Sequence, residues 1–415
     1  MTQHPLIALP DARARGEHLG IASVCSAHPI VIEAALDLAK GHDRPVLIEA
    51  TCNQVNQDGG YSGMTPAQFR AFVMAIANRI GIAADRIILG GDHLGPNPWT
   101  HLPADAAMGK AEAMIAAYAE AGFTKLHLDT SMGCAGDPAV LPEGEIAARA
   151  ARLALVAERH RGDHMPVYIV GTEVPVPGGA THRIERLDVT APEDAARTYA
   201  LHRDAFVARG LSDAFSRVIG LVVQPGVEFD HASVLPFEAD RARALSGMLR
   251  AHPGLVFEAH STDYQSPEGL KALVANGFSI LKVGPWLTFA LREALYAADA
   301  IADVLDGHAP QGRLMTEMDE IMRADPVHWA GYYGGDGADP WLQRHFSYSD
   351  RIRYYWPAPR AHAAVARVRQ RLAGREIPAP VMAQFAGVTA ARTGDGLLID
   401  AVKAVLRHYE DACRP

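Results

Sequence analysis

Acidic, histidine and amide side chains recur in this sequence directly after short apolar runs, where predicted strands end. The groups are Glu49 with Thr51-Cys52-Asn53-Gln54, Asp92-His93, Asp129, Glu173, Gln224 with Glu228, Asp230 and His231, and Glu258-Ala259-His260 with Asp263. Glu49, Asp92 and Asp129 are the predicted catalytic residues, because a carboxylate can act as a general acid or base. Gln224 and Asp263 are predicted to contact a substrate. One such coincidence would mean little, but this many indicate one polar site above an apolar interior.

Three of these residues form the best candidate set for a metal ion, namely His93, Glu173 and His260. Imidazole and carboxylate ligands suit zinc, and three protein ligands leave one coordination position for a substrate. A lone histidine is more often a hydrogen-bonded structural residue, but two histidines and a carboxylate at equivalent strand ends favour a ligand set. Asp92 is predicted to project near the metal if its strand ends irregularly. It is then either a general acid/base or a carboxylate that orients a ligand.

Glycine-rich loops give a second signal, since glycine lets backbone N–H groups approach an anion and a following helix adds a favourable dipole. Gly178 and Gly179 lie in one such loop. Gly284 and Thr288 follow the last predicted strand, where barrel enzymes often hold phosphate. Ordinary turns are the alternative explanation. The segment SYSDRIRYYWP offers Arg351 as a further phosphate ligand, because a guanidinium can donate two hydrogen bonds; packing is the alternative role.

Eight short apolar runs alternate with Ala-rich stretches of helical spacing, and these elements must position the polar residues. The runs are residues 20–26, 46–50, 86–92, 125–129, 167–173, 217–223, 255–260 and 280–284. Eight short strands separated by helices favour an α/β protein with a closed (β/α)8 TIM barrel over an open sheet. No G-x-G-x-x-G follows the first strand, which weakens a dinucleotide-binding open sheet. The barrel is predicted over residues 15–305, with a C-terminal helical extension, 306–415, packed on it.

Composition limits the class of protein. The 415 residues are 49% hydrophobic and 21% charged, with a formal net charge of −9. This acidic balance argues against nucleic acid or an anionic membrane as a partner, since both attract basic surfaces. No apolar run is long enough to span a bilayer, and the first residues lack a signal-peptide pattern. The cysteines form no C-x-x-C pair, so reduced thiols in the cytoplasm are expected for Cys25, Cys52, Cys134 and Cys413.

Nine longer segments carry a resemblance to a known family. They are SVCSAHPIVIEAAL, VLIEATCNQVNQDGGYSGMTP, ILGGDHLGPNPW, KLHLDTSMGCAGDP, VGTEVPVPGG, VVQPGVEFDH, EAHSTDYQ, LKVGPWLTFALREA and SDRIRYYWP. Together they closely resemble the Z-subunit family of class II D-tagatose-1,6-bisphosphate aldolase. The resemblance implies a (β/α)8 barrel related to zinc-dependent class II aldolases. It also implies that Asp92 moves a proton and that His93 and His260 bind zinc. Glu173 would replace a histidine that those aldolases have after the fifth strand.

Two activities are compatible with this resemblance. In the first, which we expect, the chain interconverts D-tagatose 6-phosphate and D-fructose 6-phosphate. Zinc, or another divalent metal such as manganese or cobalt, stabilises the enediolate left when the C3–C4 bond breaks, Asp92 moves the C4 hydroxyl proton, and the aldehyde is attacked on its other face. In the second, the chain is an aldolase subunit, either catalytic or a non-catalytic partner that stabilises a separate class II aldolase chain. A homo-oligomer is compatible with both.

Overall fold

The centre of the molecule is a closed barrel of eight parallel strands, in a computed structural model that describes residues 3–171, 187–387 and 389–415. The strands are β1 Ile21–Cys25, β2 Val46–Thr51, β3 Ile87–Leu94, β4 Lys125–Leu128, β5 Val167–Val170, β6 Val218–Val222, β7 Val256–Ala259 and β8 Phe278–Val283. Each strand pairs with its neighbour in the sequence, and β8 pairs with β1, with Ile280 opposite Ile21. The predicted (β/α)8 barrel is confirmed, and the closure excludes the open sheet.

In the described part of the chain, eight helices of nine or more residues alternate with the strands around the outside of the barrel. They are α1 Pro29–Ala39, α2 Pro66–Ile80, α3 Ala104–Glu120, α4 Glu143–His160, α5 Pro192–Ala208, α6 Ala239–Met248, α7 Pro267–Ala275 and α8 Pro285–Leu305. Local sequence fixes several helix ends. The Thr65 hydroxyl caps α2 while the Gln68 side chain bonds back to the Thr65 backbone, a reciprocal capping box. Gly122 and Gly210 follow α3 and α5 with φ values of 79° and 73°, which glycine adopts without strain.

The barrel interior changes from apolar to charged along its axis, because alternate residues of each strand point inwards and form layers. The apolar layer consists mainly of Leu47, Ile88, Val167, Ile169, Ile219, Val256 and Ile280. A short N-terminal helix, Ala8–Ala14, follows residues 5–7, and this segment packs Leu6 and Leu9 against that layer. The next inward-pointing residues on three of these strands, two positions further along, are charged. They are Glu49, Glu258 and Lys282, and each is at most 5% exposed. The charged layer therefore lies towards the carboxyl ends of the strands.

The residues after α8 form five further helices that pack on the barrel. They are α9 Arg313–Ala324, α10 Asp339–Phe346, α11 Pro359–Leu372, α12 Ala379–Ala386 and α13 Gly394–Ala412. Helix α13 packs against α1, α7 and α8, and Lys403 on α13 pairs with Asp37 on α1 at 2.7 Å. The apolar side chains of these helices belong to the same buried cluster as the apolar side chains that lie between the strands and the surrounding helices. Within the described ranges, no helix has the length and apolar composition that crossing a bilayer requires.

Candidate active site

An irregular end of β3 brings Asp92 and His93 to the same side of the sheet. Consecutive residues of a regular strand point to opposite faces. Here the register with β4 shifts between Gly91 and Leu94, and His93 has a φ of 49°, in the left-handed region. A positive φ is uncommon for a residue other than glycine and is energetically costly. The result is that both side chains line one cavity at the carboxyl end of the barrel.

Three imidazole rings lie close together at the floor of this cavity, which His93 and His260 line and beneath which His127 is buried. The ring centroid of His93 lies 4.9 Å from that of His127 and 4.8 Å from that of His260. One potential ligand atom from each ring and a carboxylate oxygen of Asp92 all lie within 4.8 Å of one another. Nitrogen and carboxylate ligands of this kind suit zinc and related divalent cations. In the described part of the chain, these four residues, called the histidine cluster below, form one candidate metal site, and Cys25, Glu49 and Asp92 form a second group of this kind.

Hydrogen bonds fix the orientation of all three rings, and that of His260 joins its Nε2 to Glu258 Oε1 at 2.9 Å. Nδ1 of His93 donates to Asp129 Oδ2 at 2.8 Å, which leaves Nε2 for a cation. Nε2 of His127 donates to the carbonyl of Gly171 at 3.0 Å, while its Nδ1 accepts the backbone N–H of His93 at 3.2 Å and lies 3.1 Å from Asp92 Oδ1. Proteins commonly fix the tautomer of metal-binding histidines in this way. Although burial alone would raise the pKa of Asp129, its hydrogen bond with His93 holds that pKa below its usual range.

Beneath the histidine cluster lies a buried network of lysines and carboxylates. Lys125 Nζ lies 2.6 Å from a carboxylate oxygen of Glu49 and 2.6 Å from one of Glu258, and all three side chains are 0% exposed. Lys282 Nζ lies 3.2 Å from Glu49 and also pairs with Asp92. Burial disfavours an ammonium group, but the neighbouring carboxylates raise the pKa of both lysines. Both lysines are therefore protonated at neutral pH.

Two predicted catalytic residues prove to hold other residues in place. Glu49 lies below the floor of the cavity, where its carboxylate pairs with Lys125 and Lys282. The carboxylate of Asp129 accepts the hydrogen bond from His93 Nδ1. Neither belongs to the lining of the cavity that the described residues form. The carboxylates of Glu49 and Asp129 are thus bonded to other side chains of the site, which they are placed to orient.

The formal charges around the histidine cluster fit a divalent cation. Four carboxylates, on Glu49, Asp92, Asp129 and Glu258, stand against the two ammonium groups of Lys125 and Lys282, and all six side chains are buried. With neutral imidazoles, this part of the described chain carries a formal charge of −2. Uncompensated buried charge is costly, and a divalent cation among the imidazoles would balance it.

The cavity above the cluster has a volume of about 550 Å³, which suits a small organic ligand. One wall comes from the barrel and the other from a stretch after α9, residues 326–362, called the cover segment below. The cover segment contributes Tyr332, Arg351, Arg353, Tyr354, Trp356, Pro357 and His362. The C-terminal region therefore completes the cavity. The sequence predicted that this region packs on the barrel, but not that it lines the cavity.

Of the residues predicted to bind phosphate or substrate, some line the cavity and others do not. Gly284, Thr288, Asp263 and Arg351 line the cavity. The side chain of Gln224 is absent from the lining that the described chain provides; it is buried and accepts backbone N–H groups of its own loop, from residues 226 and 227. Three predicted residues lie outside the described ranges: Glu173, Gly178 and Gly179.

Thr288, predicted to bind phosphate, instead anchors the cover segment. Its hydroxyl donates to Asp350 Oδ2 at 2.6 Å, and Arg292 Nε donates to Asp350 Oδ1 at 3.1 Å. Asp350 is 2% exposed and has a φ of 44°, so this turn of the cover segment is held in a strained conformation by α8. Thr288 lies at the cavity, as predicted, but its hydroxyl already donates a hydrogen bond to Asp350.

Thr288→Val should therefore weaken substrate binding without touching the histidine cluster. Loss of the hydroxyl removes one donor from a buried carboxylate, with an expected cost of about 1–3 kcal/mol in the free energy of unfolding. The cover segment would then be held less tightly, and KM should rise more than kcat falls. Thr316→Val is the matched control, because the Thr316 hydroxyl donates to a carbonyl at the exposed start of α9. An unchanged KM in Thr288→Val would contradict the anchoring role.

Comparison with known proteins identifies the family. A model of the GatZ/KbaZ-like D-tagatose-1,6-bisphosphate aldolase subunits matches residues 6–414. The chain belongs to the GatZ/KbaZ-like family. This confirms the resemblance carried by the nine sequence segments.

Relatives within the GatZ/KbaZ-like family bear different names. The D-tagatose 6-phosphate 4-epimerase of Agrobacterium fabrum is 52% identical over 412 residues, which cover 97% of each chain. The D-tagatose-1,6-bisphosphate aldolase subunit GatZ of Escherichia coli is 48% identical over 409 residues, 96% of this chain and 97% of the relative. A crystal structure from Sinorhizobium meliloti, described as a probable tagatose 6 phosphate kinase, is 56% identical with a TM-score of 0.87, and the match covers 95% of this chain and 100% of that one.

Two members of the site in this GatZ/KbaZ-like chain were missed from sequence, and both had a usable signal. His127 lies between Lys125 and Asp129 in the run KLHLD, and alternate residues of a strand share a face. Three polar residues on one face of an apolar strand indicate that the face is functional. Lys282 is likewise the charged residue in the run ILKVG. A charged residue inside a buried strand needs an oppositely charged or hydrogen-bonding partner, and that requirement could have identified His127 and Lys282 as members of the site.

Proposed function

We propose that this chain is a metal-dependent 4-epimerase that interconverts D-tagatose 6-phosphate and D-fructose 6-phosphate. The observation that carries the proposal is the histidine cluster: candidate ligand atoms of His93, His127, His260 and Asp92 lie within 4.8 Å of one another, and all of these residues except His127 line the cavity. The 52% identical relative named D-tagatose 6-phosphate 4-epimerase supports the choice of substrate.

Zinc is the proposed cation, with manganese or cobalt as substitutes, because imidazole-rich sites prefer these metals. His93 and His260 would hold it, with Asp92 and His127 beside them. Glu173 stays a proposed additional ligand that lies outside the described residues. When bound, the cation supplies Lewis-acid stabilisation of the negative charge that develops on the ketose oxygens.

Asp92 is the proposed residue for proton transfer. It takes the proton of the C4 hydroxyl as the C3–C4 bond breaks; the bond's electron pair remains on the C1–C3 fragment, and C4 becomes an aldehyde. After the aldehyde has turned its other face, the bond re-forms and Asp92 returns the proton to the new C4 oxygen. Burial would raise the pKa of Asp92, but the neighbouring His93 imidazole and the Lys282 ammonium group lower it well below its usual value. The carboxylate is thus ionised and ready to accept a proton.

Lys282 assists as a cation and not as a nucleophile. It pairs with both Asp92 and Glu49, and its carboxylate neighbours raise its pKa against the effect of burial. An ammonium group has no lone pair with which to form a Schiff base. This argues against an imine mechanism for carbon–carbon bond cleavage. Lys282 would hold the carboxylate of Asp92 towards the cavity.

The alternative function is that of an aldolase subunit, as the Escherichia coli relative is named. A purely stabilising subunit has no need of a metal-type cluster with a carboxylate and an ammonium group beside it. The enclosed position of the cluster, between the barrel and the cover segment, also favours retention of the aldehyde over its release. The first feature argues against a non-catalytic subunit, and the second favours epimerisation over aldol cleavage.

Incubation of the purified chain alone with zinc and D-fructose 6-phosphate tests the proposal. The expected product is D-tagatose 6-phosphate, detected by NMR or chromatography, without accumulation of triose or triose phosphate. A parallel incubation with D-tagatose 1,6-bisphosphate reports aldolase activity through the triose phosphates. Formation of triose phosphates from the bisphosphate, with no conversion of D-fructose 6-phosphate, would show that the chain is an aldolase and not an epimerase. No turnover of either sugar by a zinc-loaded chain would support the subunit function.

A further inference from the structure

The N-terminus of α8 is the usual place for a phosphate in a barrel, because it follows the last strand and presents backbone N–H groups. In this chain a carboxylate already lies there. Asp263 Oδ1 accepts the N–H of Gly284 at 3.0 Å and that of Trp286 at 2.8 Å. Asp263 is 2% exposed and lines the cavity. A phosphate at this position would lose two donors and would meet a negative charge at close range.

The wall of the cavity that the cover segment contributes carries two arginines. Arg351 is 7% exposed, its guanidinium lies 3.3 Å from the ring centroid of Tyr332, and Nε donates to the carbonyl of His328. Arg353 Nη1 donates to the carbonyl of Asp350 at 3.1 Å. Among residues 3–171, 187–387 and 389–415, no carboxylate forms an ion pair with either arginine. Two guanidinium groups beside a cavity, held by neutral carbonyls, retain their charge for an anionic ligand.

Tyr354 shows that this wall favours negative charge. Its ring lies next to both guanidinium groups, with centroid distances of 4.5 Å to Arg353 and 5.1 Å to Arg351. Burial raises the pKa of a phenol, but these two arginines lower that of Tyr354 below its usual value. A position at which a phenolate is stabilised will also stabilise a phosphate dianion.

We infer that the cavity takes one phosphate only, bound by Arg351 and Arg353, and that the Asp263 carboxylate excludes a second phosphate from the N-terminus of α8. The site would then select ketohexose monophosphates and reject bisphosphates. The identity of the sugar rests on the proposed function, whereas the phosphate selectivity does not.

This placement explains how an aldehyde could turn without leaving. The 6-phosphate belongs to the C4–C6 fragment, and the carbonyl that reacts belongs to the C1–C3 fragment near the histidine cluster. If the arginines hold the phosphate, the aldehyde can rotate about the C4–C5 bond while its other end stays bound. Bound in this way, the aldehyde re-forms the C3–C4 bond in the same cavity before it can diffuse away.

Calorimetric binding to the full-length, zinc-loaded chain tests the selectivity as a difference in affinity, whatever the rate of turnover. D-Fructose 6-phosphate should bind at least tenfold more tightly than D-fructose 1,6-bisphosphate, and unphosphorylated D-fructose more weakly still. Arg353→Met should weaken binding of the monophosphate about tenfold to a hundredfold, the loss expected for charge-assisted hydrogen bonds. Arg353→Lys should recover part of this loss. Arg360→Met is the matched control, because Arg360 is exposed and pairs with Glu317 and Glu320 outside the cavity.

Asp263→Asn tests the exclusion. The amide oxygen can still accept the two N–H groups, so folding should be retained, while the negative charge is lost. The bisphosphate should then gain at least tenfold in affinity relative to the monophosphate. Equal binding of both sugars by the unaltered chain, or an unchanged ratio in folded Asp263→Asn, would overturn the inference. Selective monophosphate binding without epimerisation would support it and reject the epimerase proposal alone.

Discussion

His93→Ala is expected to yield a folded chain that retains no stoichiometric divalent metal and loses turnover by about a thousandfold. The substitution removes one of three imidazoles in the histidine cluster and leaves the Asp129 carboxylate, 2.8 Å from Nδ1 in the unaltered chain, without that donor. Metal content by mass spectrometry and the rate of sugar-phosphate conversion would be measured on the same preparation. Circular dichroism would establish that the variant is folded.

His101→Ala is the matched control, because His101 is exposed in the loop that follows the same strand. It should keep both metal and rate. Asp92→Asn should keep the metal and lose turnover, which would separate proton transfer from metal binding. Loss of metal in Asp92→Asn would instead make Asp92 a ligand. Retention of metal and turnover in His93→Ala would remove His93 from the site.

Lys125→Met is expected to lower the free energy of unfolding by about 3–5 kcal/mol, because it leaves two buried carboxylates without their shared cation. Lys125 lies 2.6 Å from both Glu49 and Glu258, and no part of the three side chains is exposed to solvent. The loss is a large fraction of the stability of a typical protein, about 5–15 kcal/mol. Denaturant or thermal unfolding, followed by circular dichroism, would measure it.

Lys110→Met controls for the loss of a lysine from an ion pair. Lys110 lies 3.0 Å from Asp58, and the two side chains are 42% and 52% exposed. Water screens such a pair, so the expected change is within about 1 kcal/mol. Similar unfolding midpoints for the two variants would show that the buried network does not stabilise the barrel.

The fold was predictable from local sequence because its signals are local. Eight apolar runs with helical stretches between them define the β/α units, and Thr65 with Pro66 or Gly122 marks a helix end by its own chemistry. The cover segment was not predictable in the same way. The positive φ of Asp350 and its bonds to Thr288 and Arg292 depend on contacts between distant parts of the chain.

The site was predictable in part. Asp92, His93 and His260 were expected at one end of the barrel, and the structure places them together. The roles of other residues depended on which hydrogen-bonding groups were already paired. The sequence could place Gly284 after the last strand, but it could not show that Asp263 accepts its N–H. A motif locates candidate donors, and only the fold determines whether they remain available to a ligand.

The packing of α13 on α1 has a consequence for biosynthesis. Lys403 and Asp37, which join these helices, are separated by 366 positions in the chain. At about 5–20 residues per second, a ribosome needs roughly half a minute to reach the later helix after completing the earlier one. During that time the outer face of α1 lacks its native neighbour and exposes apolar surface. Nascent chains should therefore depend on chaperones until the late helix has emerged.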